Sequence, residues 1–590
     1  MLPLTNMLKE LDSFIATGSL SLRAQMGSIQ KMTLTADLPT KWLFATIILL
    51  LSFHLEAQVY LVSYTDKSDS PYSIHYPEAF LSDRAIIRRL KHAIPIEESD
   101  LPVNLDYINE LNSLESVSVL YSTKWLNASV ARIDDSLALE KIIELGFVKK
   151  VSPLKNYYKK RSFDFSKEEE TKEFKANAYN ETSYGASYRQ TEMLNLHKLH
   201  EQGLTGKGMV IAVIDGGFND LYQLSHFDSI RLGFRLLAQR DYVDLDHSSV
   251  DGSWHGMHVM SCMASYKEGL LIGTAPGASY VLLRTEDVNS ETPLEELNWV
   301  KAAEFADSLG ADILNTSLGY TDYFLSDGTR DSLVSYEWDD LDGSTSYITK
   351  ASDLAARKGM LVVNSAGNSG NGAWKYIGMP ADGDSVLAIG ALDSVENKIG
   401  FSSYGRPEDS RVKPNVMAMG FQVVLAHKDA NDNDTVRIGS GTSFAGPILA
   451  GAAACLWQAK PELSNMEIFD IIQRSSDRYN NPDTAYGYGL PDFQKALDMA
   501  LENEINYDPS YIYPNPFQDY LIYQFETNKA QTLRFEIFNL QGKLVFEDLV
   551  NAYGKGEYAV KTKALRNGMY VLVVSGPEYE DRKLILRNSD

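Results

Sequence analysis

Apolar and polar positions along the chain fall into four regimes. The first is one strongly apolar run from Trp42 to Phe53, preceded by Lys41 and followed by Leu55-Glu56-Ala57. Its 12 residues fall short of the roughly 20 that a membrane-spanning helix needs. A basic flank, a short apolar core and a small closing residue are the parts of a secretory signal peptide. Residues 1–57 therefore read as a leader. The long stretch before the run makes Met32 the expected initiator, with an N-terminal membrane anchor as the alternative. No other run is long enough to cross a bilayer, so an exported, soluble mature protein is expected.

The second regime, residues 58–155, is a small α+β pattern. Gln58 to Tyr64, Val117 to Leu120, Ala128 to Ile133 and Phe147 to Ser152 read as strands. Leu105 to Leu114 and Leu137 to Leu145 read as amphipathic helices. A charged, aperiodic linker follows at 156–183. In the third regime, 184–502, continuous apolar strands alternate with helical patterns. The strands are Val210 to Ile214, Tyr280 to Leu283, Ile313-Leu314, Met360 to Val363 and Val386 to Ile389, and the helices include Glu295 to Leu309 and Ile348 to Lys358. Runs without polar alternation are covered on both faces, so the fold class is α/β, a mainly parallel sheet flanked by helices. The last regime, 503–590, alternates with period two, as in Leu533, Phe535 and Ile537. Strands at 543–546, 570–574 and 583–586 follow, which predicts a small antiparallel β-sandwich. Tyr513-Pro-Asn-Pro-Phe517 opens it, and its prolines block a helix.

Composition narrows the function. Of 590 residues, 44% are hydrophobic and 23% charged, which suits globular domains rather than disorder. With 55 Lys+Arg against 79 Asp+Glu, the net charge is −24. That argues against a nucleic-acid partner, since phosphate backbones demand a cationic face. Two cysteines exclude a disulfide scaffold and a multi-cysteine metal site.

Three segments carry chemistry. Ala212-Val-Ile-Asp215-Gly216-Gly217 puts an Asp at the end of a buried parallel strand, where α/β sheets place their sites. Ser253-Trp-His255-Gly256-Met257-His258-Val259 leads into an apolar helix. Gly439-Ser-Gly441-Thr442-Ser443-Phe-Ala445-Gly446-Pro447 puts a Ser at the start of another. Each alone has a plain structural reading: a loop-capping Asp, a thin pair of histidines, a Ser N-cap. Together with Val363-Asn364-Ser365-Ala366-Gly367-Asn368, and in the order Asp, His, Ser, they resemble the subtilisin-like serine peptidases over about 184–502.

The resemblance implies a triad of Asp215, His255 and Ser443, with Asn368 and the Ser443 N–H as the oxyanion hole. It also implies peptide binding along Ser317-Leu318-Gly319 and Ser365-Ala366-Gly367, with a large apolar or aromatic residue before the scissile bond. Two positions depart from the family pattern, Met257 in place of Thr and Met419 in place of Pro; neither removes a catalytic group. The segment between Gly319 and Ser344, rich in Asp and Tyr, either rims the cleft or forms a solvated surface loop.

Residues 58–155, with Pro77-Glu-Ala-Phe-Leu-Ser-Asp-Arg84 and Ser122-Thr-Lys-Trp-Leu-Asn127, look like inhibitor-type propeptides of subtilases from Bacteroidetes-type bacteria. This implies an intramolecular inhibitor, cut away in the linker; a permanent accessory domain is the alternative. Residues 503–590, with Gly542-Lys-Leu-Val545 and Leu565-Arg-Asn-Gly568-Met-Tyr570, resemble the C-terminal sorting domain of the type IX secretion system. Export by the outer-membrane secretion machinery, to the medium or the cell surface, follows from that resemblance; a carbohydrate- or surface-binding sandwich is the alternative.

No cofactor is required by such a reaction. Subtilases often carry structural calcium, but no ligand set is legible here. Asp429-Ala-Asn431-Asp432-Asn433-Asp434 reads as a hairpin turn rather than a calcium loop, lacking the Gly and terminal Glu of a calcium hand. Cys262 and Cys455 read as buried thiols, although the family places their helices side by side, where a disulfide could form. The expected function is a secreted serine endopeptidase acting on protein or peptide substrates. Its rivals are an inactive surface-binding protein on the same scaffold and a maturation protease of narrow specificity.

Overall fold

The computed structural model describes residues 58–154, 183–502 and 511–587, apart from 248, 326, 430, 432, 514–516, 518–519, 540–541 and 578. The leader with its apolar run, nearly all of the charged linker and the middle of the 513–517 motif lie outside the described residues.

The N-terminal unit contains β1 (Gln58–Tyr64), α1 (Asp83–Lys91), α2 (Leu105–Ser113), β2 (Val117–Thr123), β3 (Ala128–Ile133), α3 (Ser136–Glu144) and β4 (Val148–Leu154). Its sheet has the order β2-β3-β1-β4, with every pair antiparallel. Each of the three helices begins at a side-chain cap, Ser82, Asn104 or Asp135, whose oxygen accepts a first-turn N–H. Tyr60, Val62, Leu111, Ile133 and Ile142 close its core.

The large unit is built on β5 (Val210–Asp215), β6 (Leu236–Asp241), α4 (His255–Ala264), β7 (Ser279–Arg284), α5 (Pro293–Leu309), β8 (Ile313–Thr316), α6 (Tyr347–Arg357), β9 (Leu361–Ser365), β10 (Val386–Leu392), β11 (Val416–Met419), the hairpin β12 (Val423–Lys428) and β13 (Asp434–Gly439), and α7 (Thr442–Ala459). Seven of these strands form a parallel sheet in the order β11-β10-β9-β8-β5-β7-β6. The chain runs outward from β5 to β6 and back to β7, then crosses to β8 on the other side of β5. Strand order thus reverses between β5 and β8, and open α/β sheets bind ligands at the carboxyl ends of strands where this happens. Asp215 ends β5, and Ser317 directly follows β8.

One face of the sheet packs Val210, Ala212, Ile214, Leu314 and Val362 against Trp299, Val300 and Ala303 of α5 and Ile348 and Ala351 of α6. The helix α7 is buried from Thr442 to Trp457, so its apolar residues run all round it rather than along one stripe.

Three sequence readings are resolved here. The Tyr- and Asp-rich segment after Gly319 is anchored in the core at its start and exposed further on, at 327–329 and 337–339: Tyr320 and Tyr323 are fully buried, and their hydroxyls donate to Glu286 (2.5 Å) and Glu296 (2.6 Å). Aromatic rings take these residues into the core, and buried carboxylates satisfy the phenols. Asp429, Asn431 and Asn433 lie between the paired strands of the β12–β13 hairpin, with the Asp429 carboxylate accepting the N–H groups of Asn431 (2.8 Å) and Asn433 (2.9 Å). Cys262 and Cys455 are buried and free, and burial pushes both thiols far up.

The named strands of the C-terminal unit pair antiparallel: β14 (Tyr511–Tyr513), β15 (Tyr520–Asn539), β16 (Leu544–Lys561), β17 (Gly568–Gly576) and β18 (Tyr579–Arg587). The 20-residue β15 pairs with three other strands and carries Leu521, Tyr523, Phe525, Leu533, Phe535 and Ile537 into the unit's own core, the inward half of the period-two pattern.

Candidate active site

Asp215 is fully buried at the end of β5. Its Oδ1 accepts the Gly216 N–H at 2.7 Å, and its two oxygens lie 2.8 and 2.9 Å from His255 Nδ1. A carboxylate can only accept, so Nδ1 carries the hydrogen, and in the neutral imidazole Nε2 is then the acceptor. Backbone space makes this contact: a Cβ on Gly256 would sit 2.4 Å from the Gly217 carbonyl oxygen and 2.9 Å from Asp215 Cβ. Gly217, at φ +141°, would likewise drive a Cβ to 2.3 Å from the Ser253 nitrogen. The two glycines let the start of α4 abut the end of β5.

Met257, at the position where the family pattern has Thr, is buried. His258 is also buried, and its Nε2 makes no hydrogen bond. Burial, and then the Arg437, His255 and His427 charges, push it well below the ordinary imidazole range, so it is a neutral side chain.

Ser443 lies in the first turn of α7, where backbone N–H groups have no intrahelical partner and the helix dipole is positive. Across from it, Asn368 Oδ1 accepts both the N–H and the hydroxyl of Thr442, each at 2.9 Å. Those bonds fix the amide and turn its NH2 group, the donor end, the other way. Thr442 Oγ1 also accepts the Gly367 N–H at 3.2 Å. The segment after β9 is thereby tied to the start of α7.

These residues open onto a cleft of about 840 Å³ lined by Ser317, Leu318, Gly319, Ser365, Ala366, Gly367, Asn368 and Ser443. The structure thus brings the substrate-contact candidates to one surface. Asp215 and His255 are not among the lining residues; they are coupled to each other, with His255 only 6% exposed and its ring 6.0 Å from that of Phe444, the residue after Ser443. The far rim is formed by Thr321, Asp322 and Phe324, from the Tyr- and Asp-rich segment that the sequence offered as a cleft rim, and by Trp374, which sequence reasoning missed. Among the described residues, no group of three or more His, Cys, Asp or Glu side chains is placed to hold a metal ion.

The N-terminal unit packs on α5 through buried charge. Arg88 and Arg89 of α1 reach Asp307 at 2.5 and 2.8 Å; Arg89 also pairs with Asp100 at 3.0 Å, and Lys358 joins Asp100 at 2.9 Å. The Glu304 carboxylate accepts the Trp125 N–H at 2.9 Å and the Thr123 hydroxyl. Tyr121 donates to Asn298 at 2.5 Å, and Ser82 Oγ donates to the Leu309 carbonyl at 2.8 Å. Burial alone would raise the Asp307 carboxyl, but Arg89, Lys124 and Arg88 hold it below its ordinary value.

A profile of the subtilase family matches residues 206–489, one of the Bacteroidota peptidase S8 propeptide domain matches 59–172, and one of a secretion-system C-terminal sorting domain matches 511–587. The chain is 30% identical over 307 residues to subtilisin DY of Bacillus licheniformis, covering 52% of this chain and 96% of that protein. It is 31% identical over 302 residues to subtilisin NAT of Bacillus subtilis subsp. natto, covering 50% of this chain and 68% of that protein. A solved protease structure from Pseudoalteromonas arctica matches with a TM-score of 0.41 and 22% identity, covering 55% of this chain and 96% of that chain.

Proposed function

The chain belongs to the subtilase family of serine peptidases and ends in the sorting domain of a secreted or surface-attached protein, and on that basis we propose that it is a serine endopeptidase using Asp215, His255 and Ser443. A Ser hydroxyl is a weak nucleophile until a base takes its proton. His255 Nε2 is that base, because Asp215 holds the hydrogen on Nδ1. Attack by Ser443 Oγ on the scissile carbonyl forms an oxyanion. The Asn368 NH2 and the Ser443 N–H receive it, with the α7 dipole adding to both. His255 then hands its proton to the leaving amine, and water repeats the sequence to free the acyl group. Asp215 stabilises the imidazolium throughout. No step calls for a cofactor.

An extended protein or peptide substrate lies between Ser317-Leu318-Gly319 and Ser365-Ala366-Gly367, adding a strand to exposed backbone. The precursor divides into a leader (1–57), a propeptide (58–155), a processing linker (156–183), the peptidase domain (184–502) and the sorting domain (503–590). The propeptide inhibits its own enzyme until the linker is cut, and the sorting domain engages the type IX outer-membrane machinery.

The Asp215–His255 hydrogen bond, with the His255 ring 6.0 Å from that of Phe444 next to Ser443 and the Asn368 amide oriented by Thr442, supports the proposal. A fluorophosphonate should label Ser443 in the processed protein, and Ser443→Ala and His255→Ala should abolish labelling. Folded, processed protein that neither labels nor cleaves casein would overturn it.

A further inference from the structure

Ser317 lines the cleft, yet its hydroxyl is committed elsewhere: Oγ donates to the main-chain carbonyl of Ser443 at 2.9 Å. In a regular helix that carbonyl accepts the N–H four residues on. Four residues on stands Pro447, inside α7, and proline has no N–H to give. We infer that Ser317 is a positioning residue for Ser443, its hydroxyl supplying the hydrogen bond that Pro447 withholds from the first turn of α7. The inference rests on Ser443 being the nucleophile.

Three observations give the bond its consequence. Ser317 and Ser443 are 7% and 8% exposed, so water is a poor substitute partner for the carbonyl. Leaving a buried acceptor empty is unfavourable, and the peptide after Ser443 would turn to find another donor. That turn changes ψ at Ser443 and with it the aim of the residue that bears the nucleophilic oxygen. Upstream, Thr442 is held by Asn368, but those bonds act before Ser443 and leave the peptide after it to be fixed separately. Ser317 provides it from a rigid base, because it follows the fully buried β8 in the middle of the sheet. One residue thus lends its backbone to the cleft wall and its side chain to the nucleophile's helix. Substrate contact and nucleophile placement are thereby referred to the same strand.

The test is a double-substitution cycle in the full-length protein after processing, read by the fluorophosphonate labelling rate of Ser443 and by kcat and KM on a peptide. Ser317→Ala should slow labelling and kcat about 10-fold, the scale of one net hydrogen bond, with KM nearly unchanged. Ser317→Thr, which keeps a hydroxyl, should recover most of the rate. Pro447→Ala returns an N–H to the helix, so adding Ser317→Ala in that background should slow labelling by less than about 2-fold, since the carbonyl keeps a partner. Equal losses in both backgrounds, a change confined to KM, or no loss at all would overturn the inference. Should Ser317→Ala not accumulate, Pro447→Ala should restore it: the double variant is expected to accumulate and to label within about 2-fold of Pro447→Ala alone, and a double variant that likewise fails to accumulate would overturn the inference. Failure of the unsubstituted enzyme to label would overturn the peptidase reading, and this inference with it. Normal labelling of the unsubstituted enzyme, with Ser317→Ala equally fast, would overturn the inference alone.

Discussion

Arg89 of the N-terminal unit and Asp307 of α5 pair at 2.8 Å with 1% and 0% of their side chains exposed. Both charges have left water, and each depends on the other, with Arg88, Lys124 and Asp100 completing the cluster. Breaking a buried pair by removing one partner is unfavourable by about 3–5 kcal/mol, because the remaining charge stays buried and uncompensated. Asp307→Asn leaves Arg88 without its carboxylate and Arg89 with Asp100 alone. The cleaved N-terminal fragment should then bind the processed enzyme more than about 100-fold more weakly. Dilution series followed by gel filtration and activity measure this directly. Co-elution as tight as in the unsubstituted protein would show that the cluster does not hold the fragment.

The approach of α4 to β5 predicts a severe effect from the smallest substitution. Gly256→Ala places a methyl group 2.4 Å from the Gly217 oxygen and 2.9 Å from Asp215 Cβ, and both neighbours belong to packed backbone elements. The helix has to back away, and His255 moves with it. Displacements near 1 Å at a reacting group lower rates about 100-fold. We expect kcat/KM to fall by at least about that factor, with a smaller loss of thermal stability. Activity near the unsubstituted level would mean that the helix can shift without carrying His255.

Much of this architecture is legible in the amino acids. The β5 strand reads as an unbroken apolar run because it is covered on both faces, and the structure extends that run by one residue to Asp215. What escaped has a physical cause. β6 lies at the sheet edge and carries Gln239 and Arg240, so it lacks the continuous apolar signature of its neighbours. α1, Asp83–Lys91, looks like a solvated charged stretch, because its buried residues Arg88 and Arg89 find their partners on a distant segment. The residues of the site were visible as motifs, but their couplings were not. That Thr442 orients Asn368, or that Ser317 reaches the Ser443 carbonyl, depends on contacts across 74 and 126 positions of chain.

Asp382 gives a stability prediction with a defined pH window. It is fully buried, accepts from Thr349 Oγ1 at 2.7 Å and the Gly343 N–H at 3.0 Å, and burial pushes its carboxyl up to about 6. Below the unfolded value near 3.8 both states are protonated and the group contributes nothing. Between that value and about 6 the unfolded chain loses its proton first, so stability falls as pH rises. Above about 6 the loss is complete, on the order of 3 kcal/mol. Asp382→Asn removes the titration. Its thermal midpoint should draw ahead of the unsubstituted protein between pH 4 and 6 and keep a constant lead to pH 7, below the value of about 8 to which burial lowers Lys413. A lead that does not change with pH would show that Asp382 is ionised in the fold across this range.

Thr442 separates orientation of the oxyanion donor from its presence. Its N–H and hydroxyl both bond Asn368 Oδ1 at 2.9 Å, and only the second bond needs the side chain. Asn368→Ala removes the donor altogether and should lower kcat about 100- to 1,000-fold, a magnitude measured in subtilisin itself rather than derived from this structure. Thr442→Val keeps the shape, the N–H bond and the donor, but lets the amide rotate about its remaining anchor. Its loss should be near 10-fold in kcat with KM held, the scale of one net hydrogen bond. The two losses should not add: in the Asn368→Ala background Thr442→Val has no amide left to orient and should change kcat by less than about 2-fold. Steady-state kinetics on the four proteins of this cycle decide the point. Full additivity would place the Thr442 hydroxyl's contribution somewhere other than Asn368, the Gly367 N–H being the one other partner it holds in the site.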